Sequence, residues 1–281
     1  MPTSLNPYIA KFDTDFDAEK SIQYRLTIQF ALGGFSFALF YSTDNRLVGL
    51  ECYQSDLLTD SNDLFRILER TLDTKGLTNK PFRSVTCLID ERTCTLVPEG
   101  LYHLDSNDKL MNFSFNVPKG STIGNDRLER HKAINVYAYP ANWQTKIKAK
   151  WPDARVIHSS SVFLESLPKN NNPIVYVNVR NRDFDMAVIK DKLLFFNNFR
   201  FNTKDDFAYF LLFAMEQCSL SGQDTPVVLS GLIQPSSEIV DLCGRYVKDI
   251  RFVEKPHELN VKCSMNELPF QYCYIHYQAI K

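Results

Sequence analysis

Short apolar runs separated by polar turns fill the first part of the chain, a pattern typical of β-strands. Gly33 and Gly34 stand between the first two runs and permit the positive φ angles of a tight hairpin. A later segment has apolar residues at helical spacing, and Asp60 or Ser61 precedes it as the helix cap. The pattern predicts strands at residues 22–30, 35–41, 47–53 and 84–89, and one helix that ends near Gly76.

The same order of elements recurs in the second part of the chain, although few residues are identical. Pro81 and Pro226 each precede a short apolar strand, and these two prolines are 145 residues apart (226 minus 81). The pattern predicts strands at 174–180, 184–190, 193–198, 227–233 and 251–253, with helices at 203–217 and after Pro235. A repeat this long indicates two like-folded halves, which usually face each other across a ligand-sized cleft.

Residues 90–135 interrupt this pattern and predict an insertion with a short helix and one or two extra strands. A strand at 133–139, a basic helix at 142–150, a strand at 155–158 and a helix at 159–167 are predicted to complete the first half. Three consecutive asparagines mark the stretch 168–173 as a linker. We therefore expect a first half at 1–167 and a second half at 174–281.

Both ends of the chain are less clear from the pattern. Residues 1–20 are polar and acidic, and they predict a mobile or loosely docked leader without a signal peptide. The last fourteen residues, LPFQYCYIHYQAIK, fit either a strand, from their alternation, or a helix that begins after Pro269.

Composition excludes several classes of protein. Hydrophobic residues make up 44% of the chain and charged residues 23%, as in ordinary globular proteins and unlike disordered ones. The net charge of −1 gives no long-range attraction to nucleic acids or anionic membranes. Seven scattered cysteines are typical of free thiols in a reducing compartment, so we expect a cytoplasmic protein.

The duplicated order of three strands, helix, strand, helix and strand resembles the actin-like ATPase superfamily. The resemblance implies an α/β fold with two ribonuclease H-like halves, in which mixed sheets are flanked by helices. The chain also resembles an uncharacterised bacterial family of this fold, in which a turn like Gly34-Phe35-Ser36-Phe37 follows the first strand.

The resemblance implies a cleft formed by Gly33, Gly34, Ser36, Asn178, Arg180, Ser230 and Gly231. In the superfamily, each of two phosphate turns carries an acid that holds the metal. Here the first turn reads Ala31-Leu32-Gly33 and the second Asn178-Val179-Arg180-Asn181, so both acids are absent. Loss of these acids removes the means of neutralising phosphate charge during transfer. Arg180 has two interpretations, an ion-paired turn residue or an anion ligand in the cleft.

These departures favour a binding or scaffold protein without catalysis, with a protein partner and no cofactor. The alternative is a nucleotide-binding protein or weak ATPase that uses ATP and Mg²⁺ in the cleft. A third hypothesis is an RNA-associated protein whose basic helix presents lysines beside Trp143 and Trp151. The lysines and arginines of this hypothesis are Lys119, Arg127, Arg130, Lys132, Lys146, Lys148 and Lys150.

Other catalytic chemistry has weaker support in the sequence. A nuclease of this fold would need clustered carboxylates, and Asp90 and Glu91 are the nearest candidates, although they also fit a solvated turn. A zinc site would have to be assembled from His257, Cys263, Cys273 and His276, whose spacings match no common zinc module. The chain contains no Gly-x-Ser-x-Gly elbow, P-loop or dinucleotide-binding glycine motif.

Overall fold

The computed structural model describes residues 5–55 and 61–281. Its strands are β1 (Ile9–Phe12), β2 (Tyr24–Ala31), β3 (Gly34–Tyr41), β4 (Leu47–Gln54), β5 (Ser84–Ile89), β6 (Cys94–Pro98), β7 (Ser121–Leu128), β8 (Ala133–Pro140), β9 (Arg155–His158), β10 (Ile174–Val179), β11 (Asp183–Ile189), β12 (Leu193–Arg200), β13 (Val227–Gly231) and β14 (Ile250–Phe252). Its α-helices are α1 (Ser61–Thr74), α2 (Asn107–Ser114), α3 (Ala141–Lys150), α4 (Ser159–Ser166), α5 (Lys204–Gln217), α6 (Glu238–Cys243) and α7 (Tyr274–Ala279). The predicted cap residue Asp60 lies outside the described residues.

Two sheets share one topology. The first has the strand order β1-β4-β3-β2-β5-β9, and the second has the order β12-β11-β10-β13-β14. In each sheet an antiparallel meander of three strands is followed by two strands that run parallel to its first strand. The predicted duplication is therefore confirmed, and the predicted linker at 168–173 lies between the two sheets.

The first hairpin forms where the glycines predict it. Gly34 pairs with Ala31 across the hairpin, and Gly33 lies in the turn with a φ angle of +95°. A Cβ atom at Gly34 would overlap the carbonyl oxygen of Tyr53 on β4, so the sheet itself requires glycine there. Strand β3 begins at Gly34, so the stretch Gly34-Phe35-Ser36-Phe37 belongs to the strand predicted at 35–41 and not to a turn, as the family resemblance implied.

Helices α4 and α7 pack between the two sheets. Their side chains share one apolar cluster with residues of both sheets, such as Leu88 of the first and Tyr176 of the second. A second cluster joins Tyr277 of α7 to Phe40 and Leu50 of the first sheet. The two halves therefore have a common interior.

The predicted leader is docked rather than mobile. Strand β1 pairs antiparallel with β4, from Ile9 opposite Cys52 to Phe12 opposite Gly49. Just after β1, Asp13 is buried and forms an ion pair with Arg46. Of the two predicted states, the part of the leader from residue 5 onward therefore takes the docked one. The pattern did not locate β1, because its contacts lie about 40 residues away in sequence.

The insertion forms a separate three-stranded sheet in the order β6-β8-β7, with α2 packed on it. The short helix and extra strands were predicted correctly. Strand β8, predicted to follow the insertion, pairs instead with both insertion strands, from Ala133 opposite Pro98 and Leu128 onward. The separate sheet therefore extends to Pro140.

The C-terminal segment is helical, which decides between the two alternatives left by its sequence. A 3₁₀ turn at Phe270–Tyr272 follows Pro269 and leads directly into α7. Tyr274, Ile275 and Tyr277 are buried because α7 packs on both sheets. Across residues 5–55 and 61–281, no helix combines the length and the apolar character that crossing a membrane requires.

Replacing Gly231 by alanine should destabilise the protein more than the same change at Gly120. Both glycines have positive φ angles, of +84° and +80°. A Cβ atom at Gly231 would overlap the backbone of Val179, whereas the space around Gly120 is open. We expect Gly231→Ala to lower the free energy of unfolding by more than about 2 kcal/mol and Gly120→Ala by about 1 kcal/mol. Urea denaturation of both variants provides the measurement, and equal losses would contradict the packing argument.

Candidate functional site

A cleft of about 460 Å³ lies where strands of both sheets end. Its walls come from the β2–β3 turn and the end of β5 in the first half, and from the ends of β10 and β13 in the second. Six of the seven predicted cleft residues line it, namely Gly33, Gly34, Ser36, Asn178, Arg180 and Gly231. Ser230 is buried behind the wall and donates a hydrogen bond to Val177 O.

Arg180 lies on the cleft floor and binds three carboxylates. Its Nη1 and Nη2 atoms each lie 2.9 Å from an oxygen of Asp185, a two-pronged contact. Nη1 also donates to Asp90 at 3.2 Å, and Nε donates to Asp183. Asp90 follows β5 of the first half, and Arg180 follows β10 of the second, so this cluster joins the two halves.

Polar side chains complete the environment of the buried aspartates. The side-chain amide of Gln29 donates to Asp90 at 2.7 Å, and the hydroxyl of Ser159 donates to the other oxygen. Ser160 donates to Asp185 at 2.7 Å. Both serines begin α4, which explains why His158-Ser159-Ser160 reads as a strand end and a helix start.

These contacts hold the guanidinium in its charged form. Burial alone would lower the pKa of Arg180, but the charges of Asp185, Asp90 and Asp183 outweigh burial and raise it well above its ordinary value. Four hydrogen bonds occupy most of the donors of the guanidinium. The structure therefore shows Arg180 as an ion-paired residue with one N–H donor of its guanidinium outside these contacts.

The first phosphate-type turn is also closed by a carboxylate. The main-chain N–H of Leu32 donates to Glu91 Oε1 at 3.0 Å. Burial raises the pKa of Glu91 to about 7, and the neighbouring charges of Asp90 and Asp183 act in the same direction. Glu91 thus occupies the main-chain donor of this turn.

Ser36 is part of a buried chain of hydrogen bonds that ends at α7. Its Oγ lies 2.8 Å from Nε2 of His276, and Thr27 Oγ1 lies 2.8 Å from Nδ1 of the same ring. Burial without a nearby carboxylate lowers the pKa of His276 to about 3. The ring is therefore neutral near pH 7 and has one donor and one acceptor for the two hydroxyls.

The described residues of the zinc hypothesis do not come together in one site. His276 binds the two hydroxyls, the Cys273 thiol donates to Phe270 O at 3.3 Å, and His257 is exposed. The side chain of Cys263 is outside what the structure describes. Within the described residues, no group of three or more His, Cys, Asp or Glu side chains has metal-binding geometry.

The basic helix does not present aromatic rings to a nucleic acid. Trp143 is fully buried and Trp151 is 9% exposed, so the prediction that these rings lie beside RNA was wrong. Lys148 donates to main-chain oxygens of Pro152 and Ala154 at the end of the helix. The tryptophans lie inward because α3 packs on the first sheet.

Sequence reasoning missed the acidic partners of the cleft. Asp183 and Asp185 were not singled out, and Glu91 was considered only with Asp90 as a nuclease candidate. One signal was available: Arg180, Asp183 and Asp185 surround the β10–β11 turn and alternate with apolar residues. The contribution of Asp90 across the halves could not be found locally.

Replacing Arg180 by methionine should strongly destabilise the protein. The change leaves Asp90 and Asp185, whose side chains are 5% and 0% exposed, without their cation. Loss of one partner from a buried ion pair costs about 3–5 kcal/mol, which urea denaturation measures. The matched control is Arg251→Met, because the pair of Arg251 with Asp249 is exposed and screened by solvent, so its loss should change the stability far less. Equal effects would show that the cluster does not stabilise the fold.

Replacing Glu91 by glutamine should change how stability depends on pH. The folded-state pKa of about 7 lies above the ordinary value of 4.5, so folded protein binds the proton more tightly. Wild-type stability therefore falls as pH rises from about 5 to about 8, by roughly 1–3 kcal/mol relative to Glu91→Gln. Denaturation at both pH values tests this, with Glu216→Gln on the exposed surface of α5 as control. A pH dependence unchanged by Glu91→Gln would contradict the assignment.

The fold of this chain is similar to that of several solved structures. A protein of Bacteroides thetaiotaomicron with an actin-like ATPase fold and unknown function aligns with a TM-score of 0.74 and 18% identity, over 90% of this chain and 98% of that one. The PilM–PilN complex of type IV pilus biogenesis aligns with a TM-score of 0.63 and 10% identity, over 92% and 98%. The ethanolamine utilization protein EutJ from Carboxydothermus hydrogenoformans aligns with a TM-score of 0.51 and 11% identity, over 99% and 91%.

These similarities confirm the predicted fold class: the chain has the actin-like ATPase fold. No curated protein matches the sequence. The profile of one family, described as a protein of unknown function (DUF3822), matches residues 13–250, which is most of the chain. The chain therefore belongs to the DUF3822 family.

Proposed function

We propose that this protein is a non-catalytic binding module of the actin-like fold and that its partner is another protein. One observation carries the first part of the proposal: the protein's own carboxylates occupy both turns that approach phosphate in this fold. Glu91 accepts the Leu32 N–H of the first turn. Three aspartates surround Arg180 at the second turn.

A nucleotide phosphate does not fit this arrangement. At the two turns it would lie beside Asp90, Glu91 and Asp183, and like charges a few ångströms apart repel. Arg92, Arg182 and Arg200 line the same cleft, so this repulsion is local to the turns. A divalent cation could offset such repulsion, but no group of three or more His, Cys, Asp or Glu side chains among the described residues has metal-binding geometry. Arg180 cannot replace the cation, because its charge is already matched by aspartates.

Two observations support a protein partner. The fold occurs in the PilM–PilN complex, so a chain with this architecture can serve in a protein assembly. Several large apolar side chains of this chain are exposed, which is typical of interaction surfaces when they are clustered. The most exposed are Phe113 at 91%, Leu101 at 72%, Leu104 at 64%, Tyr209 at 61% and Ile22 at 53%.

The nucleotide-binding alternative retains one observation in its favour. Gly33 and Gly231 both have positive φ angles at the cleft wall, as expected of turns that approach a ligand closely. Binding through such backbone groups would not need the missing acids. A direct titration distinguishes this alternative from the proposed function.

Calorimetric titration with ATP and with ADP, each with and without Mg²⁺, should show no binding tighter than about 100 μM, equivalent to about −5.5 kcal/mol. The physical reason is repulsion between phosphate and the carboxylates at the two turns. At about pH 8, where Glu91 is ionised, Glu91→Gln serves as the sensitised variant, because it removes one negative charge and keeps an acceptor for Leu32 N–H. A dissociation constant below about 100 μM for the wild-type protein would contradict the proposal, and hydrolysis of ATP would contradict it more strongly.

A further inference from the structure

Strand β12 lies at the edge of the second sheet. In the part of the chain that the structure describes, β12 pairs with β11 on one side and with no strand on the other. None of its eight residues is fully buried, whereas β10 and β11 are buried except at their first residues. An exposed strand edge offers free N–H and C=O groups to another extended chain.

The pairing with β11 shows which main-chain groups are free. Phe201 N donates to Arg182 O at 2.9 Å, so this pair exchanges hydrogen bonds in the ladder. Hydrogen-bonded and non-bonded pairs alternate along antiparallel strands. Away from β11 point the main-chain groups of Phe196, Asn198 and Arg200.

One of these free groups already has a substitute acceptor. Asn198 N donates to the side-chain oxygen of its neighbour Asn197 at 2.9 Å. Asn197 is exposed, so its side chain can rotate away when a carbonyl group of a partner strand approaches. The main-chain N–H of Asn198 is therefore satisfied in the free protein without being blocked.

One face of β12 continues into a surface of aromatic rings, the aromatic strip. Phe199 stacks on Phe210 of α5 with ring centres 5.2 Å apart, and Phe195 stacks on Phe199 at 6.4 Å. Tyr209 contacts Phe210 at 5.4 Å and stacks on Phe213 at 5.9 Å. Tyr209 and Phe213 are 61% and 43% exposed, so the strip runs from the strand edge onto the open flank of α5.

The opposite face of β12 is basic where the strand ends. Asn198 Nδ2 donates to Arg92 O at 2.8 Å, which places the Arg92 loop beside this face. Arg200 projects from the same face two residues later, and both arginines are exposed at the cleft. Asp183, opposite Arg200 in the ladder, is bound by Arg180 and cannot neutralise it fully.

The charges on β12 select against a second copy of this chain. Lys190 and Lys192 flank the start of the strand and Arg200 ends it, with Asp191 the one acid among them. Antiparallel pairing of two β12 strands would bring Arg200 of each copy towards the lysines of the other. Like charges across a strand pair are destabilising, whereas an acidic partner would be attracted.

From these observations we propose that β12 is the docking strand for an extended segment of a partner protein, in which apolar residues alternate with acidic ones. The segment extends the second sheet by one strand. Its apolar side chains lie against the aromatic strip, and its acidic side chains meet Arg92 and Arg200. This inference rests on the proposed function, since it names the surface through which the protein partner binds.

A random octapeptide library displayed on phage, selected on the full-length protein, tests the docking strand. Enriched peptides should alternate apolar residues with Asp or Glu. They should bind the double variant Arg92→Glu, Arg200→Glu at least tenfold more weakly than wild type. They should bind the matched double variant Lys109→Glu, Lys119→Glu within twofold of wild type, because both lysines are exposed on the insertion. Circular dichroism of each variant verifies folding.

The main-chain contacts are tested with the selected peptide itself. Methylating alternate peptide amides in one register should abolish binding, while methylation in the other register should leave it intact, because a strand presents its donors to alternate sides. Bound peptide should also slow hydrogen exchange at the amides of Phe196 and Arg200. Equal tolerance of both methylation registers would overturn strand addition.

Two outcomes of the selection would overturn the proposal: no peptide enriched over an unrelated control protein, or peptides that bind both double variants equally. Failure of this inference is distinguishable from failure of the proposed function. Tight binding of ATP would contradict the non-catalytic assignment and leave the strand result standing. A failed selection without nucleotide binding would remove the docking strand alone.

Discussion

The structure depends on one buried charge. Arg180 lies among strand ends where its side chain is 11% exposed, and a guanidinium in such surroundings requires negative partners. Asp185 comes from the adjacent strand, whereas Asp90 comes from the other half of the chain. Pairing with both fixes how the halves meet, and the serines at the start of α4 complete the hydrogen bonds of the two aspartates. The cleft is built around this cluster.

The same cluster determines what the cleft can bind. In this fold, the floor of the cleft is where positive charge would be needed to hold phosphate. Here three aspartates of the protein neutralise the positive charge of Arg180. Glu91 accepts a hydrogen bond from the main chain of the first turn. The architecture of the fold is retained, while carboxylates of the chain itself bind the groups at both turns of the cleft. An architecture shared with ATPases therefore does not imply their chemistry, since function resides in the residues of the site.

The interior strands and the edge strand of the second sheet differ in burial and in composition. Strands β10 and β11 are covered on both faces, so their residues are almost all apolar. Strand β12 belongs to the same sheet, yet its aromatic residues remain partly exposed and basic residues flank it. A sheet that ends in an open aromatic edge needs either protection or a partner. The lysines around β12 protect this edge, because they repel those of a second copy of the chain. The same lysines attract an acidic partner.

The sequence by itself determined the local elements and their duplication. Hairpin glycines, helical spacing and repeated apolar runs act over a few residues, so the pattern located nearly all strands and helices, and six of the seven proposed cleft residues line the cleft. Tertiary structure alone decided the docking of β1 on β4, the pairing of β8 with the insertion and the helical form of the C-terminal segment. It also decided the role of Arg180, because Asp90 lies 90 residues away and only folding brings the two charges together.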